Sequence, residues 1–199
     1  MDGARLERTV DRFLSLDRRA AVERVDLAAA HRCGPGRARR RVSAVTLRPA
    51  GPADADAGAL LEQRITTPAF AHIFPPAEFP FPVQEIRAKW HRELADPAYL
   101  IWWAERDGTG LGYCATHEDW IDHLGVLATE AGTGLAHRLL QQGLRTIAER
   151  GYASARLWVL AENHRARAFY AKHGWIGDGT VEATEYPPHP AKLRYRIDL

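Results

Sequence analysis

Apolar residues first recur at Leu6, Val10, Phe13 and Leu14, the i, i+4, i+7, i+8 spacing that lays a stripe along one helix face, and predict a helix within residues 1–31. Cys33-Gly-Pro-Gly36 ends that pattern, and Arg37-Ala-Arg-Arg-Arg41 follows it. From Val45 the rhythm becomes regular. Val45–Arg48 alternates as a strand, and Pro52 suits the first turn of a helix over Ala53–Arg64. Thr66–Phe81 is dense in proline and phenylalanine and is expected to be irregular. Pro82–Ala95 then carries Val83, Ile86, Trp90 and Leu94 on one helical face. Tyr99–Glu105 and Leu111–His117 flank Arg106-Asp-Gly-Thr-Gly110, a hairpin signal, and Trp120–Leu127 is a third strand. Ala136, Leu140, Leu144 and Ile147 stripe a long helix over Thr133–Arg150, stopped by Gly151. A strand over Ser154–Leu160, a helix over Asn163–His173 closed by Gly174, and an alternating strand over Lys192–Leu199 complete the reading. The order is β-α-α-β-β-β-α-β-α-β-β, an α/β (α+β) domain over residues 43–199 behind a helical, basic extension over 1–42.

Composition narrows the function classes. The 199 residues are 46% hydrophobic and 26% charged, as in ordinary globular proteins. No apolar run approaches the roughly 20 residues a membrane span needs, and the start lacks the layout of a secretory signal. Cys33 and Cys114 have no metal-ligand spacing and are too few for a disulfide framework, so the expectation is a cytoplasmic protein without a metal, monomeric or homodimeric. Residues 1–41 hold eleven arginines against six acids, net +5, which leaves −3 for the rest of a chain whose total is +2. An acidic main domain is poor footing for nucleic acid, and the arginine cluster reads as a solvated linker.

Chemistry is concentrated in two stretches. In the first, Gly132-Thr-Gly134 joins a strand to the start of a long helix, where small residues admit a ligand to the backbone and the free N–H groups of the first turn favour an anion. A plain strand-to-helix turn has the same look. In the second, Asn163 stands at a helix N-cap, and Ala166, Phe169, Tyr170 and His173 follow i, i+3, i+4, i+7. Alone, that stripe is a core-facing helix with a buried tyrosine.

Taken together, strand, glycine turn, helix, strand and then Asn163-x-x-Ala166-x-x-Phe169-Tyr170-x-Lys172-x-Gly174-Trp175 resemble the GNAT superfamily of acyl-coenzyme A N-acyltransferases, most specifically over residues 120–175. The resemblance implies a mixed, mostly antiparallel central sheet flanked by helices and acetyl-coenzyme A (acetyl-CoA) as co-substrate. It also implies that the amides of Gly132, Thr133, Gly134, Leu135, Ala136 and His137 cradle the pyrophosphate and that Leu124, Gly125 and Val126 pair with the pantetheine arm. Asn163 is then expected to bond the pantetheine or substrate side, and Tyr170 to protonate the departing thiolate. A phenol near 10 and a thiol near 8.5 are matched for that transfer. Arg165 and Arg167 are candidates for the coenzyme's 3′-phosphate, or are exposed solubilising groups. Two positions depart from the family pattern: Ala131 replaces an arginine or glutamine, and Ala128 a proline. Affinity then leans on backbone amides and on Arg138.

The base is less legible. Trp158 stands where some relatives place a glutamate. Asp122, then Glu118, then His123 are the candidates, against the alternative that water carries the proton. Two-residue alternation puts Asp122 on the face of Val126 and His123 on the other, unless a bulge intervenes. The resemblance sets the acceptor groove among Phe70, Phe74, Phe79, Phe81, Trp90 and the loop Tyr186–Pro190, where an apolar wall suits a hydrophobic amine or a peptide end, unless those rings only fill a core. The expected reaction is acetyl transfer to an amine of a small molecule or peptide by direct attack in a ternary complex. The rival reading is an acetyl-CoA-binding regulator without turnover.

Overall fold

A computed structural model describes residues 43–199. The helical stripe within 1–31 and the basic cluster lie outside the described residues.

Strand β1 (Thr46–Pro49) leads through a 3-10 turn (Pro52–Asp54) into helices α1 (Ala55–Ala69) and α2 (Val83–Ala95). A meander of β2 (Tyr99–Arg106), β3 (Thr109–His117) and β4 (Trp120–Val126) follows. After a second 3-10 turn (Ala128–Glu130) come α3 (Leu135–Glu149), β5 (Ser154–Leu160), α4 (His164–Lys172), β6 (Ile176–Ala183) and β7 (Ala191–Asp198). The seven strands form one sheet in the order β1-β2-β3-β4-β5-β7-β6. Every adjacent pair is antiparallel except β4 with β5. Element order and sheet type agree with the sequence reading.

One boundary moves. Helix α1 continues through Thr66–Ala69 and holds Pro68 in its last turn, where the missing N–H forfeits only the bond to Arg64. Proline density in the following segment hides that extension. Among the described helices, none is long and apolar enough to cross a membrane.

Two helix layers position the site. On one face α1 and α2 meet over Trp90, whose ring stands edge-on to Trp103 at 6.3 Å and to Tyr113 at 5.0 Å. Gly58 makes that approach possible, because a Cβ there would lie 2.3 Å from the Trp90 ring. On the other face α3 lies against β3 and β4, with Gly143 so close that a Cβ would come within 2.8 Å of Cys114 Sγ and of Ile121. The apolar stripe of α3 is sealed there at Leu139, Leu140 and Ile147. Helix α4 shares this face, where Tyr170 packs near Trp175 and Tyr195.

Candidate functional site

The only parallel pair in the sheet is also its weakest seam. Between β4 and β5 a single register pair, Trp120↔Arg156, forms at the start of the strands. The Arg156 amide donates to Asp119 O at 2.8 Å, and the two side chains close an ion pair beside it. Beyond that point the strands diverge. Leu124, Gly125 and Val126 pair with Cys114, Tyr113 and Gly112 of β3, while their other edge has no strand partner among the described residues. An open parallel edge leaves backbone donors and acceptors that an extended ligand can satisfy as a missing strand would.

The glycine turn lies at the mouth of this wedge. Leu127 N–H donates to Leu111 O at 2.8 Å, and the 3-10 turn after it ends on Glu130. That carboxylate is buried and accepts both terminal nitrogens of Arg106, at 3.0 and 3.3 Å, so the turn is tied to the end of β2. Gly132 and Gly134 then take φ of 77° and 84°, the left-handed region that disfavours a side chain. A Cβ on either would meet nothing within 4 Å, so the turn faces open space. The Thr133 hydroxyl donates to Glu130 O and accepts from Leu135 N–H, which stiffens the loop. The amides of Gly132, Gly134, Ala136 and His137 find no acceptor among the described residues. Four free donors at a helix start fit a pyrophosphate.

Not every expected group joins them. Arg138 donates to Val45 O at 3.3 Å and is anchored toward the strand before α1. The Arg167 guanidinium donates to Ala161 O at 2.9 Å and braces the loop before α4, whereas Arg165 is exposed. Asn163 caps α4: its Oδ1 accepts the Ala166 N–H at 3.1 Å, and its amide NH₂ donates to no acceptor among the described residues. His137 stacks on His173 at 4.4 Å and joins the first turn of α3 to the last of α4. Burial lowers the His173 pKa, with His137 and Lys172 adding to the effect.

Tyr170 is 7% exposed on α4, edge-on to Phe169 and Trp175. Burial, with Cys114 nearby, raises its phenol above the ordinary value, so it keeps its proton at neutral pH. Cys114 packs fully buried under α3, and burial pushes its thiol up to about 12. It is inert as a nucleophile.

The base candidates rearrange. The β3–β4 ladder slips between Ala115 and Thr116, which face His123 and Ile121 respectively, so Asp122 is an extra residue in a bulge. Ile121 and Leu124 both face α3, and Asp122 and His123 together face α2. The alternation that put Asp122 on the face of Val126 therefore fails. His123 lies 3.3 Å from Glu93 of α2, and Asp122 stands beside the Tyr99 hydroxyl. Burial raises the Asp122 pKa and, with Asp122 and Glu93 adding, raises the Tyr99 phenol to about 12. Glu118 sits exposed at the hairpin tip with φ of 50°. That is about 20 Å of extended chain from Leu124, so Glu118 is not brought to the wedge.

On the same face a cavity of about 440 Å³ is walled by Phe70, Phe74, Phe79, Phe81, Leu160 and Tyr186. The four phenylalanine rings are half-buried and Tyr186 is exposed, so they line space rather than fill a core. Trp90 does not join them: it is 1% exposed, packed between α1 and the sheet. Glu62, unmarked in the sequence reading, is a buried part of the cavity wall, accepting from Trp90 Nε1 at 2.7 Å and from Lys89 at 2.8 and 2.9 Å. Glu62 and Glu93 carried a readable signal. Each is an acid at a core register of its helix, after Ala55 and Ala59 in one case and Ile86 and Trp90 in the other.

The model of the acetyltransferase (GNAT) family matches residues 66–175, more than half of the chain, and the protein belongs to that family. An uncharacterized N-acetyltransferase of Archaeoglobus fulgidus is 35% identical over 79 residues, covering 34% of this chain and 54% of that protein. Another, of Mycobacterium bovis, is 34% identical over 98 residues, covering 47% of this chain and 63% of that one. The chain thus spans between half and two thirds of the length of these relatives. Among solved structures, the PaiA N-acetyltransferase of Thermoplasma acidophilum in complex with coenzyme A superposes with a TM-score of 0.65, 15% identity, and coverage of 78% of this chain and 99% of that one. At that identity the likeness is one of fold.

Proposed function

We propose that this chain is an N-acetyltransferase that moves the acetyl group of acetyl-CoA directly onto an amine. The observation that carries the reading is the wedge between β4 and β5, with four unpaired amides at its mouth, together with a buried, protonated phenol on α4. The amides of Gly132, Gly134, Ala136 and His137 hold the pyrophosphate, and the open edge of Leu124–Val126 pairs with the pantetheine arm. The Asn163 NH₂ steadies that arm from the other side.

Each residue then has one task in the transfer. An amine arriving from the α1–α2 face loses a proton to the Asp122–His123 corner, with Glu93 behind the imidazole. Its nitrogen forms a bond to the acetyl carbon, and a free N–H at the open β4 edge steadies the charge on the carbonyl oxygen. As the carbon–sulfur bond breaks, Tyr170 gives its proton to the sulfur, and the second proton, still on the newly bonded nitrogen, leaves through water and restores the phenol. Cys114 is sealed away, so no acyl-enzyme is needed.

Thiol release from acetyl-CoA over an amine panel tests this. Tyr170→Phe is expected to lower kcat by about 10²–10⁴-fold at unchanged coenzyme affinity. Turnover undiminished in that variant removes Tyr170 as the acid. Coenzyme binding with no turnover on any amine returns the rival reading of a regulator.

A further inference from the structure

The acceptor cavity has a chemical character of its own. Its apolar side chains come from four places: Phe70 at the end of α1, Phe74, Phe79 and Phe81 from the following segment, Leu160 from β5, and Tyr186 from the β6–β7 loop. Glu62, Glu78 and Glu85 also line it, and among the described residues no lysine, arginine or histidine does. Lys89 balances Glu62 from behind through its ion pair. Glu78 and Glu85 are exposed and without an ion-pair partner among the described residues. Glu185, Glu85 and Glu62 all raise the Tyr186 phenol on top of its burial, against a lowering from Arg92, so the field at that wall is negative. The Thr67 hydroxyl is buried on the same wall with no partner among the described residues, an unclaimed polar contact.

The cavity also points the right way. Ile65 of α1 packs over Gly125 at the wedge, where a Cβ would lie 3.2 Å from it. Its neighbour Thr66 lines the cavity, as does Leu160 where β5 ends. A molecule seated against the phenylalanines therefore has one end beside the open edge of β4.

From this we infer that the acceptor is a small monoamine with an aromatic or bulky apolar body and no carboxylate, such as an arylalkylamine. The inference rests on the acetyltransferase reading above and specifies its acceptor. The ammonium is drawn in by the exposed carboxylates, and the apolar body replaces water against the rings. An amino acid or a peptide carboxylate would bring a further negative charge into a pocket lined by no cation among the described residues. A polyamine would bury further ammonium groups against phenylalanine. At about 440 Å³ the space is at the small end of small-molecule pockets.

The test uses the full chain. Calorimetric titration with acetyl-CoA comes first, and absence of binding there defeats the parent reading rather than the acceptor assignment. With binding established, kcat/KM is compared for phenethylamine, phenylalanine, spermidine and a short peptide with a free N-terminus. Phenethylamine and phenylalanine differ only by the carboxylate, and at least a 100-fold preference for the former is expected. Equal or better turnover of phenylalanine, spermidine or the peptide overturns the proposal, as does failure to turn over phenethylamine. Phe79→Ala is expected to raise the phenethylamine KM about tenfold with the coenzyme affinity unmoved. Glu85→Lys, at an exposed site, is expected to narrow the phenethylamine-to-phenylalanine ratio severalfold. A ratio unchanged by that reversal defeats the charge argument.

Discussion

The glycine turn and the aromatic cavity sit on either side of the same wedge and are built on opposite principles. The turn is local: four backbone amides from one run of six residues, Gly132–His137, aimed by two left-handed glycines. The cavity is assembled from α1, the segment after it, α2, β5 and the β6–β7 loop, and its chemistry belongs entirely to side chains. A site made of backbone suits a ligand that never varies, because almost any side chain can be exchanged around it. One made of side chains from distant segments suits a ligand that differs from relative to relative.

That contrast is broken most directly at Gly134. A valine there must hold φ near 84°, a conformation that costs a β-branched residue at least about 1–2 kcal/mol, and the loop will shift to avoid it. Gly134→Val is expected to weaken acetyl-CoA binding by about ten- to a hundredfold in a calorimetric titration. The amine KM at saturating coenzyme should move little. A large change in amine KM with coenzyme affinity intact would show that the two halves are not separate.

A smaller effect is expected one step behind the turn. Glu130 is 6% exposed, and Arg106 is its ion-pair partner. Removing Arg106 strands a buried carboxylate, which costs about 2 kcal/mol once the partial exposure of the arginine is allowed for. Arg106→Ala should lower the urea midpoint and also raise the acetyl-CoA Kd severalfold, because the turn loses its tether. Arg106→Leu, which keeps the aliphatic packing, should behave the same way. Unchanged coenzyme affinity in a variant that is plainly less stable would show that the tether serves the fold alone.

The two principles also explain what was legible beforehand. Gly132, Gly134, Asn163 and Tyr170 lie in short runs whose spacing is itself the signal, so their places followed from the chain. The aromatic residues around the cavity were visible as a cluster, but whether they fill a core or line a space depends on how far α1 and the β6–β7 loop stand apart. No spacing along the chain encodes that distance. Trp90 was misplaced for the same reason, since Gly58 across from it is what lets the ring sink into the core. Strand β6 was expected only as an unbounded member of the closing pair because seven of its eight residues are exposed, so burial imposes no alternation. Asp122 and His123 were assigned to opposite faces by a rule that a single extra residue reverses, and the slip between Ala115 and Thr116 leaves no mark in composition.

That bulge supplies the smallest test, and it concerns the acceptor side alone. Burial raises the Asp122 pKa above the ordinary carboxylate value, so the folded protein holds this proton more tightly than the unfolded chain does. The group therefore favours folding below the ordinary carboxylate pKa, and that contribution is lost as pH rises through the raised value. At neutral pH an ionised, half-buried Asp122 opposes folding, to a degree its contact with solvent reduces. Asp122→Asn should then melt higher at pH 7, with the gain shrinking as the pH falls below the ordinary carboxylate pKa, where the wild-type carboxyl is neutral as well. If Asp122 also takes the amine's proton, the same variant loses turnover while gaining stability, an exchange that a glycine turn made of amides cannot show. A melting difference that is flat between pH 3 and pH 8 would mean that the bulge holds Asp122 in a water-like setting, and the proton would then leave through His123 and Glu93 instead.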